Sequence, residues 1–257
     1  MGWPVAGASA PVVARIGVLA YAGGRCASRQ SQAMIDLRQC PPLLRRNPSA
    51  LLLAVQLLGV LLYPLMEGHA GGQILLTAFG LLVLGLALWV VRRSPVASWG
   101  AVVLAGVVVL LSVINVLHPL PALTAAIALA ESVFYFYAAL SLCAYMLQDQ
   151  HASRDELFAA AATFTVLAWA FAHLFNACQA IAPHSFGAQI DPEQPRTWME
   201  LLFLSFSTLS GVGLGDIIPL KPMARALVML GEFTGVMYVA LVVSRLVGLL
   251  TIKRLGR

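Results

Sequence analysis

Six stretches of this chain are each apolar over about the length that crosses the hydrocarbon core of a bilayer, at roughly 50-66, 73-91, 98-117, 122-147, 157-181 and 224-250. Little chain is left for anything outside a membrane. Across 257 residues, 60% are hydrophobic and 11% are charged, a balance that cannot cover the surface of a water-soluble domain. The expected fold is therefore an all-α integral membrane protein with six transmembrane helices. The formal charge of +5 does not point to nucleic acid, because the basic residues gather at the ends of the apolar stretches instead of forming a soluble basic face. Cys26, Cys40, Cys143 and Cys178 show no metal-ligand or disulfide spacing and read as structural or incidental.

The basic residues also orient the chain. Arg15, Arg25, Arg29, Arg38, Arg45 and Arg46 precede the first stretch, Arg92 and Arg93 follow the second, and Arg154 follows the fourth. Lys253, Arg254 and Arg257 follow the last. With six spans all of these share one side, which the positive-inside rule makes cytoplasmic, with both termini there. Arg196, Lys221 and Arg225 fall on the other side, in the long segment between the fifth and sixth stretches. Arg245 lies inside the sixth stretch near its cytoplasmic end, where its long side chain is expected to snorkel to the interface. Residues 1-48 read as a cytoplasmic or interfacial tail, with a seventh span over 3-24 or a start at Met34 as alternatives. A multi-pass protein of the inner (cell) membrane, in contact with lipid and without a soluble partner, follows from this layout. No C-terminal regulatory domain is expected after the sixth stretch.

The segment beginning at Thr197 breaks the pattern of long helices. Thr197-Trp198-Met199-Glu200 is a capping box, in which the Thr hydroxyl takes an orphan backbone N-H and the Glu reaches back, so a helix starts here. Run over 198-209, it would be about 18 Å long, well short of a bilayer. It is stopped by Ser210-Gly211-Val212-Gly213-Leu214-Gly215-Asp216, whose alternating glycines open conformations closed to other residues. Pro219 and Pro222 then lead into the final helix. A short re-entrant helix followed by an irregular strand is tolerated at membrane depth only where the strand faces water, since its carbonyls would otherwise go unsatisfied. Rings of such carbonyls can replace the hydration shell of a cation. The negative end of the short helix favours a cation nearby.

These residues resemble the pore region of the potassium-channel superfamily, in particular its small bacterial members with six spans and a single pore loop. The usual filter reads Thr-Val-Gly-Tyr-Gly-Asp, and the matching positions are Gly211, Val212, Gly213, Leu214, Gly215 and Asp216. Met229-Leu230-Gly231-Glu232, Gly235, Tyr238 and Ser244-Arg245-Leu246-Val247-Gly248 extend the likeness along the last stretch, so that it covers 197-250, about a fifth of the chain. The resemblance implies a four-helix, non-voltage-sensing membrane domain over 49-150 and a pore domain over 151-257. It further implies a pore helix at 198-209 and a selectivity filter at 210-216, with Ser210 at its base and Asp216 at the outer mouth. Potassium would be the permeant ion, held by the carbonyls of Gly211, Val212, Gly213 and Leu214, with no other cofactor. Because one chain supplies one strand of the ring, a homotetramer is implied.

Two departures bear on selectivity. Gly211 stands where the Thr hydroxyl lines the innermost ion site, and Leu214 where the Tyr hydroxyl helps hold the filter open, so relaxed discrimination between potassium and sodium is expected. Returning both groups through Gly211→Thr and Leu214→Tyr is expected to sharpen it. Glu232 is read as a filter support, bonded to a hydroxyl such as Ser205 or Ser207, and Gly235 as a packing glycine or a hinge in a Gly-x-x-x-Gly pair with Gly231. Glu131, inside the fourth stretch, reads either as a satisfied interhelical acid or as a proton-sensitive site, and the five histidines show no ligand spacing. The fourth stretch holds no Arg or Lys, which argues against a voltage sensor. Two other classes compete. Gly213-Leu214-Gly215-Asp216 is also the Gly-x-Gly-Asp string of intramembrane aspartyl proteases, but that chemistry needs a second membrane-embedded Asp, and none lies in the six stretches. A secondary transporter built from inverted repeats would show broken helices in both halves, whereas only one half is broken here.

Overall fold

The computed structural model describes 48-66, 72-91, 98-118, 120-148, 154-189, 191-213 and 215-255. The expected tail over 1-48 therefore lies almost wholly outside the described residues, as does Leu214 in the filter. Within the described residues the chain is helical apart from one two-residue strand pair: α1 (Pro48–Met66), α2 (Gly72–Val91), α3 (Ser98–Leu117), α4 (Pro121–Gln148), α5 (Arg154–Ile181), β1 (Phe186–Gly187), α6 (Trp198–Leu209), β2 (Ile218–Pro219) and α7 (Pro222–Leu255). The apolar stretches thus become helices nearly residue for residue. Continuous Leu, Val and Ala lose little by folding into helices, and in lipid a helix satisfies all of its own backbone groups.

Among the described residues, four helical stretches are long and apolar enough to cross a membrane: Trp99–Leu117, Ala122–Leu147, Asp155–Ile181 and Pro222–Val242. The described apolar parts of α1 and α2, Pro48–Pro64 and Ala78–Val91, are shorter. Helix α5 is the hub, packing against α4, α6, α1 and α7. Its sequence explains why. Ala159, Ala162, Ala168, Ala170, Ala172 and Ala177 are all buried, and small side chains let neighbouring backbones approach closely.

Polar groups join several of these helix pairs. Ser132 Oγ of α4 donates to Ala170 O of α5 at 3.0 Å, and Thr165 Oγ1 of α5 lies 2.6 Å from Gln56 Oε1 of α1. At one end of the bundle the Asp155 carboxylate accepts from both the backbone N and the hydroxyl of Ser49, at 3.3 and 3.1 Å, which joins the start of α5 to the start of α1. Beside it Glu156 Oε1 is 3.0 Å from Arg245 Nη2 of α7. Arg245 thus has an acidic partner in the first turn of α5, which its position near the end of α7 did not by itself disclose. At the opposite end, β1 pairs antiparallel with β2, with Phe186 opposite Pro219 and Gly187 opposite Ile218.

Candidate functional site: the helix α6 and the glycine strand after it

Helix α6 begins where its capping box requires. Thr197 is extended at φ −66° and ψ 160°, its Oγ1 accepts from Glu200 N at 3.3 Å, and Glu200 Oε2 accepts from Thr197 N at 2.6 Å. The residue before the cap is held just as firmly. Arg196 N donates to Gln179 Oε1 at 3.1 Å and Gln179 Nε2 donates back to Arg196 O at 2.8 Å, so α5 grips the entry to α6 through a paired amide. The Arg196 guanidinium is buried and donates to the carbonyls of Asp191 and Gln194 and to Glu200 Oε1. Sequence reasoning noted Arg196 only as a charge on one side of the membrane. The Arg-Thr-x-x-Glu spacing, with Arg and Glu four apart, was the signal that could have found the clasp.

Packing then fixes the direction of the helix. Trp198 lies against Trp169, His173 and Tyr63, with ring centroids 4.8, 5.7 and 5.4 Å away. Midway along, Ser205 Oγ donates to Ala168 O at 2.7 Å. The far end rests on α7. A side-chain carbon placed on Gly235 would fall 1.9 Å from Leu209 O, whereas one on Gly231 would meet Thr208 Oγ1 at 3.5 Å. The two glycines expected to allow close packing thus do so unequally, and Gly235 is the point of closest approach.

The strand starts from a tightened last turn. Ser210, exposed and still right-handed at φ −75°, donates through Oγ to Ser207 O at 3.1 Å, and Gly211 N donates to Thr208 O at 3.0 Å. Gly213 N then reaches back to Ser207 O at 3.2 Å. Gly211 and Gly213 have φ of 71° and 66°, while the non-glycine residues in that region are His184 and Asp191, so Val212 between them is on the ordinary side. The two left-handed glycines on either side of Val212 give this segment a backbone course that a run of ordinary residues rarely adopts. Space is not what these two glycines supply, since nothing lies within 4 Å of a carbon built at either. Their requirement is conformational. That overturns one expectation: a Thr at position 211 would be a β-branched residue forced into left-handed backbone, so the hydroxyl cannot be returned there without strain.

Gly211, Val212, Gly213, Gly215 and Asp216 are all exposed on the single chain, Val212 at 60%. Below them Ile217 is buried, and Leu220 N donates to Ser185 O at 2.8 Å beside the β1–β2 pair. An open strand is thus anchored at both ends. Glu232 does not support it as expected within one chain, because its side chain is exposed and the Ser205 hydroxyl is committed to Ala168 O.

Residues 157–251, which contain α6, the glycine strand and most of α5 and α7, match the family described as ion channel. That segment is similar to an ion channel domain. The match supports the resemblance to the potassium-channel superfamily that residues 197-250 carry. No curated protein and no solved structure matches the chain. Within the matched segment, Ser210 to Asp216 follow the C-terminus of α6, and Gly235 on α7 lies against Leu209 at its end. Helices α1 to α4 precede the domain, and α4 touches it most tellingly through Glu131, whose Oε2 lies 2.9 Å from Nδ1 of His173 on α5.

Proposed function

We propose that this chain is one subunit of a potassium-type monovalent cation channel that conducts passively through a homotetrameric pore. The observation that carries the reading is the alternating backbone of Gly211 and Gly213 at the C-terminal end of a 12-residue helix, left exposed on the single chain. Carbonyls of Gly211, Val212, Gly213 and Leu214, repeated around a fourfold axis, would form the rings that replace water around potassium. The negative end of α6 and the exposed carboxylate of Asp216 both favour a cation. In this reading α1 to α5 and α7 are six spans in the inner (cell) membrane with cytoplasmic termini, and α6 is re-entrant.

The apolar face of α7 supports the oligomer. Met229, Leu230, Phe233, Val236 and Met237 are each more than half exposed, as is Phe203 of α6 at about that level, while the opposite face carries buried Ala224, Val228 and Tyr238. In this reading the face that flanks the filter is where neighbouring subunits pack. Gly211 and Leu214 leave the ring without two of the usual hydroxyls, so discrimination against sodium is relaxed. Purified protein in liposomes tests the reading. Tetrameric particles that carry a potassium flux support it, and a monodisperse monomer without cation flux refutes it. Peptide-bond cleavage by such a monomer would favour the protease.

A further inference from the structure

We propose that Glu131 and His173 form a proton-sensitive joint between α4 and α5 that acts on conduction through Trp198, the first residue of α6. This rests on the channel reading above. The site is built from two ionisable side chains in the apolar part of the bundle. Oε2 of Glu131 is 2.9 Å from Nδ1 of His173, with side chains 25% and 11% exposed. Intramembrane ionisable groups are costly, and pairing lowers that cost only while the two groups together hold a single proton. Nδ1 makes no aligned hydrogen bond, so the contact is one of charge and proximity and is not locked in place.

What surrounds the imidazole gives its protonation a mechanical outlet. Tyr135 of α4 stacks on the ring at 5.4 Å with the planes 14° apart, and Trp198 lies on it at 5.7 Å. Trp169 of α5 and Tyr63 of α1 pack on Trp198 in turn. The charged Glu131 and the titratable Tyr135 face His173 from α4, and the indole of Trp198 faces it from α6. A second proton, taken from solvent on the side of the α5–α6 loop, converts the pair to carboxylic acid and imidazolium and removes the negative partner. The imidazolium must then turn or draw in water, and the ring against it belongs to the helix that presents the filter. Acid on that side therefore lowers conduction.

The test is bilayer recording with loop-side pH stepped from about 8 to about 5.5, the range over which a histidine changes charge. Wild-type current is expected to fall several-fold over that step. His173→Gln and Glu131→Gln are each expected to flatten the response, and Tyr135→Phe to retain it. A pH-independent wild-type current, a rise on acidification, or a response that survives His173→Gln would overturn the proposal. Tryptophan fluorescence in nanodiscs provides a readout that does not need conduction, since imidazolium quenches an indole in contact with it. A one-step intensity change over the same range, absent in His173→Gln, supports the joint. If neither variant assembles, a flat wild-type fluorescence titration overturns it. A pH-dependent fluorescence change in protein that passes no cations at any pH would refute the channel reading and leave the protonation site standing.

Discussion

The backbone of Gly235 on α7 lies so close to Leu209 on α6 that a side-chain carbon at position 235 would sit 1.9 Å from the Leu209 carbonyl oxygen. The last carbonyls of a helix lack intrahelical partners, and here one of them is covered by the smallest residue available. Gly235→Ala is therefore expected to push α7 off α6, costing about 1–3 kcal/mol by overpacking and lowering the thermal unfolding temperature of the assembled protein. Gly231→Ala, where the nearest side-chain atoms are 3.5 Å away, is expected to change stability by less than about 1 kcal/mol. Equal effects from the two substitutions would contradict the packing described.

At the opposite end of α7, Glu156 and Arg245 form an ion pair with side chains 6% and 19% exposed. Removing one member strands the other, so Arg245→Met should cost about 3–5 kcal/mol. The double variant Glu156→Gln with Arg245→Met should recover a large part of that loss. A double-mutant cycle on thermal or denaturant unfolding checks this, and additive single effects would show that the two side chains do not depend on one another.

In the filter, Gly211 at φ 71° and Gly213 at φ 66° should tolerate L-residues poorly. A non-glycine residue in this conformation costs about 1–2 kcal/mol, more when β-branched. Gly211→Thr is thus expected to reduce current instead of sharpening selectivity, whereas Leu214→Tyr keeps conduction. Single-channel conductance of each variant distinguishes the two, and a fully conducting, more selective Gly211→Thr would show that the backbone at 211 is not constrained as described.

How much of this was legible in the sequence follows from the range of the interactions. Helix α6 was recovered to the residue because its start is set by a local hydrogen-bond exchange between Thr197 and Glu200 and its end by glycine, both readable within a few positions. The long helices were found for a similar reason, since an apolar run reports its own conformation. The clasp of Gln179 on Arg196, the pairing of Phe186 with Pro219, and the contacts of Glu131 with His173 and of Glu156 with Arg245 join residues far apart in the chain. No periodicity announces such pairs. Arg245 was placed near a helix end from its own position in the chain, which says nothing of Glu156. Their meeting depends on how α7 packs against α5.

Voltage dependence should be weak. Moving one elementary charge through the membrane field is worth about 2.3 kcal/mol per 100 mV, and steep gating moves three or four such charges per subunit. Helix α4, Pro121–Gln148, carries no Arg or Lys, and its one charged residue, Glu131, is tied to His173. Macroscopic currents over a wide voltage range are expected to show little change in open probability. A conductance–voltage curve as steep as that of a four-arginine sensor would contradict the assignment of α1 to α4 as a scaffold.

The most direct test of the central claim is the reversal potential of purified protein in planar bilayers under opposed potassium and sodium gradients. Carbonyl rings built on Gly211 and Gly213, without hydroxyls at 211 and 214, predict a current that reverses between the two equilibrium potentials and closer to that of potassium. Reversal at the chloride potential, or the absence of any current from tetrameric protein, would contradict it.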